Sequence, residues 1–324
     1  MKKIIALSLS FIAILLGIPL SFCVVYKAQE TVLVEATKHT STIPLQDKEE
    51  EDGMVVTVFR TEQDKHQQLP LEEYLVGVVA AEMPALFELE ALKAQAISAR
   101  TYALRVLENK EYILDTVEHQ AFQDEMQLRE RWGETFDENH ARIREAVEAT
   151  EGLVLTHEGN LVKTFFFSTS NGRTENSEDY FIEALPYLRS VNSEWDRHAT
   201  GFEEEVSFNL IDFRNRLEDN TLTFECINQS DILSRTTGGN VREVSIGNNL
   251  FTGREVRSKL DLRSADFSFE TRDDRIYVTT LGNGHGVGMS QNGANQMALQ
   301  GKNFEDILNH YYQNIKIIEK NSLN

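Results

Sequence analysis

Apolar residues recur at helical spacing just after residue 70. Leu71, Tyr74, Leu75 and Val78 share one face, and the next place on that stripe is taken by Glu82. Pro70 suits the start of a helix, Glu72 and Glu73 suit its first turn, and Met83 before Pro84 disfavours continuing it. A helix over Pro70–Glu82 is therefore predicted, with a carboxyl at a core-facing position. An ionised carboxylate buried without a partner is very costly, so such a group finds a cation or keeps its proton. A carboxyl that holds its proton near neutral pH is a candidate general acid.

A second helix is predicted over Leu89–Leu107, with Leu92, Ala96, Ala99, Ala103 and Val106 along one side. Its many alanines permit close approach by another element. Arg100 borders this seam and is a candidate cation for the site. Upstream, Val55, Val56, Val58 and Phe59 mark Gly53–Arg60 as a first strand. Downstream, Arg129–Thr150 reads as a charged helix stopped at Gly152, and Leu153–Leu155 with Leu161–Phe167 reads as a hairpin around Gly159-Asn160. Strand-like runs follow at Glu204–Phe208, Val241–Ile246 and Arg275–Thr280, with helices near Thr252–Leu260 and Ser290–Leu299. No internal repeat is present. The pattern predicts one mixed α+β domain over Gly53–Asn324, long enough for two lobes.

The N-terminus has a different character. After Met1-Lys2-Lys3, the run Ile4–Val25 carries no charge. At about 1.5 Å per residue it spans about 33 Å, enough for a bilayer core. Lys2 and Lys3 put the bulk of the chain outside the cytoplasm. No A-x-A-like cleavage site follows Val25, and Phe22 is bulky before Cys23, which argues against a cleaved signal peptide or a lipoprotein. A cytoplasmic tip at residues 1–3, a signal-anchor helix at 4–25 and an acidic polar stalk at 26–52 are expected.

The 324 residues are 41% hydrophobic and 26% charged, an ordinary globular composition. Net charge is −20, which argues against a nucleic-acid-binding surface. Of the two cysteines, Cys23 lies in the apolar run, so no disulfide can form within the outer domain. Cys226 is expected as a small buried apolar residue, and Trp195 as core.

Four glycines alternate around a histidine in Gly282-Asn283-Gly284-His285-Gly286-Val287-Gly288, followed by Met289-Ser290-Gln291. Alternating glycines let backbone approach a ligand closely, and a helix N-terminus offers free N–H groups. The segment lacks the Lys-Ser/Thr of a phosphate loop and the spacing of a dinucleotide fingerprint. No H-E-x-x-H, C-x-x-C or G-x-S-x-G occurs. No metal or other cofactor is expected. The run Glu108–Ala121 reads only as a loop over a groove.

Both informative stretches resemble one family. Leu71-Glu72-Glu73-Tyr74, Gly77 to Pro84, Glu90 to Ala96 and Ala99-Arg100-Thr101-Tyr102-Ala103 look like the stage II sporulation protein D family. So do Phe166 to Gly172, Thr174-Glu175 and Gly284 to Gln291 with Gly293-Ala294. One departure is Asn292, where the family usually carries an aromatic. The resemblance implies mixed helices and antiparallel strands around a glycan-binding groove, unlike lysozyme. It implies a membrane-anchored lytic transglycosylase that cleaves peptidoglycan strands stripped of stem peptides during forespore engulfment. It implies work alongside the amidase stage II sporulation protein P and the membrane protein stage II sporulation protein M. Glu82 would be the catalytic acid, and Arg100, Ser168, Ser170, His285, Ser290 and Gln291 would line the groove. Some members bind zinc through Cys and His, but no Cys lies between Cys23 and Cys226, so zinc is not carried over. Related domains are described as amidase enhancers, and a non-catalytic glycan-binding enhancer is the alternative.

The implied chemistry explains how one carboxyl could suffice. Hydrolytic glycosidases generally use two. In muramic acid the C6 hydroxyl can attack C1 to give a 1,6-anhydro end without water, and an intramolecular nucleophile carries a large entropic advantage. The free lactyl carboxylate of a peptide-stripped sugar could be read by the glycine loop, by the helix after it, or by Arg100.

Overall fold

The computed structural model describes residues 54–323. The expected anchor at 4–25 and stalk at 26–52 lie outside them. Among the described residues, no helix is long and apolar enough to cross a membrane. Residues Gly53–Asn324 form one compact unit containing two hydrophobic cores.

Strand Val55–Arg60 pairs antiparallel with Lys65–Pro70 and, through Val58 and Phe59, parallel with Ile113–Leu114. Helix Leu71–Glu82 leaves directly from Pro70 and stops where Met83 turns extended before Pro84. Its burial exceeds one stripe. Val76, Gly77, Val79 and Ala80 are buried along with Leu71, Tyr74, Leu75 and Val78. A helix apolar nearly all round belongs inside a core, and this one does.

The alanine-rich helix runs Leu89–Leu107 as expected. Ala91, Ala94, Ala96, Ala99 and Ala103 are all fully buried. Their small side chains let four helices, Leu71–Glu82, Phe136–Glu148, Gln291–Leu299 and Phe304–Tyr311, pack around it with strand Leu153–His157. The expected helix over Arg129–Thr150 is divided in two, Glu125–Trp132 and Phe136–Glu148. The break falls at Gly133, whose φ of +52° lies outside the right-handed α-helix and stops it from running through. The expected hairpin is present but short. Leu153–His157 pairs antiparallel with Asn160–Leu161, and the chain then leaves so that Phe166–Phe167 can pair in parallel with Met289–Ser290.

The smaller core lies between a sheet of strands Glu203–Phe208, Arg275–Leu281 and Phe267–Arg272 and another of Asp231–Arg235, Val241–Ile246 and Asn249–Thr252. Helices Leu210–Leu217 and Gly253–Leu260 close it, burying Phe213, Val244, Val256, Phe267 and Ile276. Small, mainly antiparallel sheets with separate helices fit the expected α+β class. Cys226 is only half-buried, its Sγ accepting from the Thr223 hydroxyl at 3.2 Å. Trp195 packs on the larger core while its indole N–H reaches Gln300 at 3.1 Å.

Arg100 departs from its expected place in the groove. It is fully buried at 0% exposure, and its guanidinium is spent on the core. Nε donates to the Glu72 carboxylate at 2.9 Å, Nη2 bonds the other Glu72 oxygen, and the Val147 and Leu153 carbonyls accept at 3.2 Å each. One side chain thus ties two helices to a third and to strand Leu153–His157. Removing one partner of a buried pair costs about 3–5 kcal/mol. Arg100→Ala is therefore expected to lower the melting temperature by roughly 10 °C, at about 2–4 °C per kcal/mol. Thermal denaturation followed by circular dichroism checks this, and an unshifted melting curve would contradict it.

Candidate active site

Glu82 sits in the last turn of its helix, half-buried, with its carboxyl in a wall of protein. Its Oε1 accepts the backbone N–H of Ala121 at 2.9 Å. The Gln291 side-chain amide lies against it from the other side. The geometry falls short of a standard hydrogen bond, and the buried Gln291 Nε2 is left without a partner. Burial raises the Glu82 pKa above its ordinary 4.5, and the Ala121 amide and Gln291 only partly offset it. Among the described residues, no cation is hydrogen-bonded or ion-paired to Glu82.

The Ala121 amide is placed by the segment Glu108–Gln123, which runs across the helix as a strap. Arg60, 1% exposed, anchors it: Nε pairs with Asp115 and Nη1 with Asp124, both at 3.1 Å. Gly77 allows the strap to touch the helix, since a Cβ there would stand 2.4 Å from Phe122 Cε2 and 2.6 Å from the Gln123 carbonyl.

The glycine-rich loop brings up the opposite side. All four glycines adopt positive φ, and a Cβ on Gly288 would stand 2.0 Å from the Phe165 carbonyl oxygen. This closeness lets Met289–Ser290 pair with Phe166–Phe167. The His285 ring lies among Phe165, Phe167, Tyr180 and Phe181. Its Nδ1 accepts from the Val287 N–H at 3.0 Å, and a bond with the Phe166 backbone engages it further. Burial and the nearby Arg257 push its pKa down to about 4 despite that bond. His285 is therefore neutral near pH 7 and carries no charge to an anion.

Ser170 and Ser290, expected in the groove, are buried beneath it at 2% and 0% exposure. Both hydroxyls donate to Asp196, Ser290 at 2.7 Å, and the Ser193 hydroxyl joins them at 2.9 Å. Ser290 Oγ also accepts from Gly293 N–H, capping the helix that begins at Gln291. Asp196 thus pins the Ser168–Asn171 loop to the helix that carries Gln291. Asn292 donates through Nδ2 to the Ser168 carbonyl at 3.1 Å and to Thr169 Oγ1 at 3.0 Å, so it serves the same joint.

Two clefts meet at Glu82. The larger, about 460 Å³, is lined by Glu82, Tyr102, Ser168, Tyr180, Arg257 and His285 among others. The smaller, about 390 Å³, is lined by Glu82, Pro84, Leu86, Arg131 and Trp132 among others. Of the expected residues, Glu82, Ser168 and His285 share a cleft and Gln291 abuts Glu82. Ser170 and Ser290 support from behind, and Arg100 stands apart. Tyr102 and Arg257 enter unannounced. Tyr102 was legible in Ala99–Ala103, whereas Arg257 comes from the smaller core with no local motif. Among the described residues, no three His, Cys, Asp or Glu side chains are grouped as a metal ion would need.

Fold and site together define an α+β protein with a glutamic acid set where two clefts join. A profile of the family described as "Stage II sporulation protein" matches residues 60–157. The chain is 38% identical to stage II sporulation protein D of Bacillus amyloliquefaciens over 337 aligned positions, 99% of this chain and 97% of that one. It is 40% identical to stage II sporulation protein D of Bacillus subtilis over 272 residues, 82% of this chain and 79% of that one. The amidase enhancer of Bacillus subtilis is 26% identical over 293 residues, 74% of this chain and 39% of that one. The chain belongs to the stage II sporulation protein D family, a family of sporulation proteins.

Gly77→Ala forces the strap off the helix, an overpacking that costs about 1–3 kcal/mol. Thermal denaturation should show a lower midpoint for this variant, and an unshifted melting curve would contradict the close packing of the strap on the helix.

Proposed function

We propose that this protein is a peptidoglycan lytic transglycosylase. The supporting observation is a half-buried Glu82 carboxyl, approached only by neutral donors, at the junction of two clefts that would carry a polymer past it. On this reading Glu82 gives its proton to the oxygen between MurNAc and GlcNAc. As that bond breaks, the GlcNAc leaves with its hydroxyl restored. The MurNAc C6 hydroxyl closes on C1, its proton passes to Glu82, and a 1,6-anhydro-MurNAc end remains. No water is consumed, and Glu82 ends protonated as it began. The preferred strands are those stripped of stem peptides.

The sporulation family supports a role in forespore engulfment. Residues 4–25 would anchor the chain in the mother-cell membrane facing the forespore, 1–3 would stay in the cytoplasm, and 26–52 would hold the 53–324 unit outside. Stage II sporulation proteins P and M would be its partners. A second reading, a glycan-binding module that stimulates an amidase without cleaving glycan, draws on the likeness to the amidase enhancer.

The test uses the full-length chain in detergent with peptide-free strands. Glu82→Gln should lower anhydro-end formation by about 10²–10⁴-fold while leaving strand binding intact. Anhydro ends that persist in this variant would sink the assignment. Stimulation of an amidase by a wild-type chain that forms no anhydro ends would favour the second reading.

The acid must be protonated, and its raised pKa means the active form persists above pH 4.5. The rate kcat/KM should therefore fall as pH rises through a midpoint above 4.5. A midpoint at or below that value would contradict the role. Glu118, the other carboxylate on the larger cleft, is exposed on its rim. Glu118→Gln should leave the rate essentially unchanged, whereas a two-carboxylate hydrolase using Glu118 would lose its activity.

A further inference from the structure

The larger cleft carries a cation whose charge the protein leaves unmatched. Arg257 belongs to helix Gly253–Leu260 of the smaller core and reaches the wall of the cleft that holds Glu82. It is the sole Arg or Lys among the described residues lining that cleft. Its Nε donates to the Leu262 carbonyl at 3.3 Å, and the Tyr180 side chain flanks the guanidinium. Among the described residues, no carboxylate pairs with it. Its neighbours are treated differently: Lys259 pairs with Glu218 at 2.9 Å and Arg263 with Glu204 at 3.0 Å. Arg142 and Arg214 are also half-buried without an acidic partner among the described residues and bond backbone carbonyls instead, but neither lines this cleft, so what sets Arg257 apart is its place on the wall that holds Glu82.

The other basic groups near Glu82 are occupied or neutral. Arg100 is spent on Glu72. His285 is held neutral, and burial lowers the pKa of His119, whose Nδ1 accepts the Leu114 N–H at 2.8 Å. Arg131, on the smaller cleft, also pairs with no carboxylate among the described residues, but it is exposed and both terminal nitrogens are engaged, one by the Ala80 carbonyl and one by the Gln123 side chain. A guanidinium that has lost water without gaining a counter-charge is suited to receive an anion, and its planar fork matches a carboxylate.

We propose that Arg257 receives the carboxylate of a substrate sugar and so selects glycan whose lactyl carboxyl is free over glycan in which it is an amide. This rests on the transglycosylase reading for the identity of the polymer. Hydrolysis of the amide between muramic acid and its stem peptide replaces a neutral group with an anion on the sugar next to the scissile bond. Stem peptides carry carboxylates of their own, but these lie beyond the amide and away from the reacting ring.

The experiment measures strand binding by calorimetry on the full-length Glu82→Gln chain, and cleavage on the catalytically intact chain. The substrates are peptide-free strands, the same strands with carboxyls converted to methylamides, and peptide-bearing strands. With Arg257 present, the free-carboxylate strands should be preferred over the methylamides by about 10- to 100-fold. Arg257→Gln should remove the preference by weakening the carboxylate form alone, with the other two substrates unchanged. Arg257→Lys keeps the charge without the fork and should retain part of the preference. Equal weakening of all three substrates, or an undiminished preference, would overturn the proposal, as would an undiminished preference in Arg257→Lys should Arg257→Gln fail to fold. Binding needs no turnover. A wild-type chain that binds with this preference yet makes no anhydro ends would count against the transglycosylase reading and for the role of Arg257.

Discussion

A carboxylic acid holds its proton to higher pH where its charged form has lost water and gained no cation in exchange. Three features surround Glu82, and burial outweighs the two neutral donors that favour its ionised form. Its helix is enclosed by the larger core, so the carboxyl emerges from apolar surroundings. A backbone amide, which carries no net charge, takes one oxygen. A neutral side-chain amide faces the group with an unused donor. On the proposed reading that donor bonds the carboxylate once Glu82 has given up its proton, so the site is better matched to the ionised state during turnover than before it.

Much of the remaining structure can be understood as keeping these three contacts in place and keeping cations away. Gly77 and Arg60 seat the strap that delivers Ala121. Asp196, with three serine hydroxyls on its carboxyl, locks the Gln291 helix to the loop after Phe167. Arg100 lies on the neighbouring helix, yet Glu72 and two carbonyls consume its donors. Had it paired with Glu82, the pKa would have fallen. The smaller core contributes Arg257 to the far wall of the cleft. In this arrangement one arginine stabilises the fold, and on the proposed reading the other is available to substrate.

The sequence is most legible where the determinants are local. Pro70 and Pro84 set the ends of the first helix, and alanine spacing marked a helix at about Leu89–Leu107, where the structure has it. Glu82 itself could be found because a carboxyl on an apolar stripe is a local anomaly. What escaped depends on distant partners. Arg100 finds Glu72 on another helix, and Ser170 and Ser290 meet at Asp196, a residue overshadowed in the sequence by Trp195. The donor to Glu82 is a backbone N–H, which no side chain advertises. The break at Gly133 and the parallel pairing of Phe166–Phe167 with Met289–Ser290 arise from how elements meet, and periodicity does not carry that information.

The proposed function turns on the proton of Glu82. Its direct measure is a titration of the carboxyl by carbon-13 NMR in the full-length chain labelled at glutamate, with Glu82→Gln to assign the signal. A midpoint above the ordinary 4.5 is expected. A midpoint at or below that value would mean that burial does not hold the proton on the carboxyl, and would contradict its role as the acid.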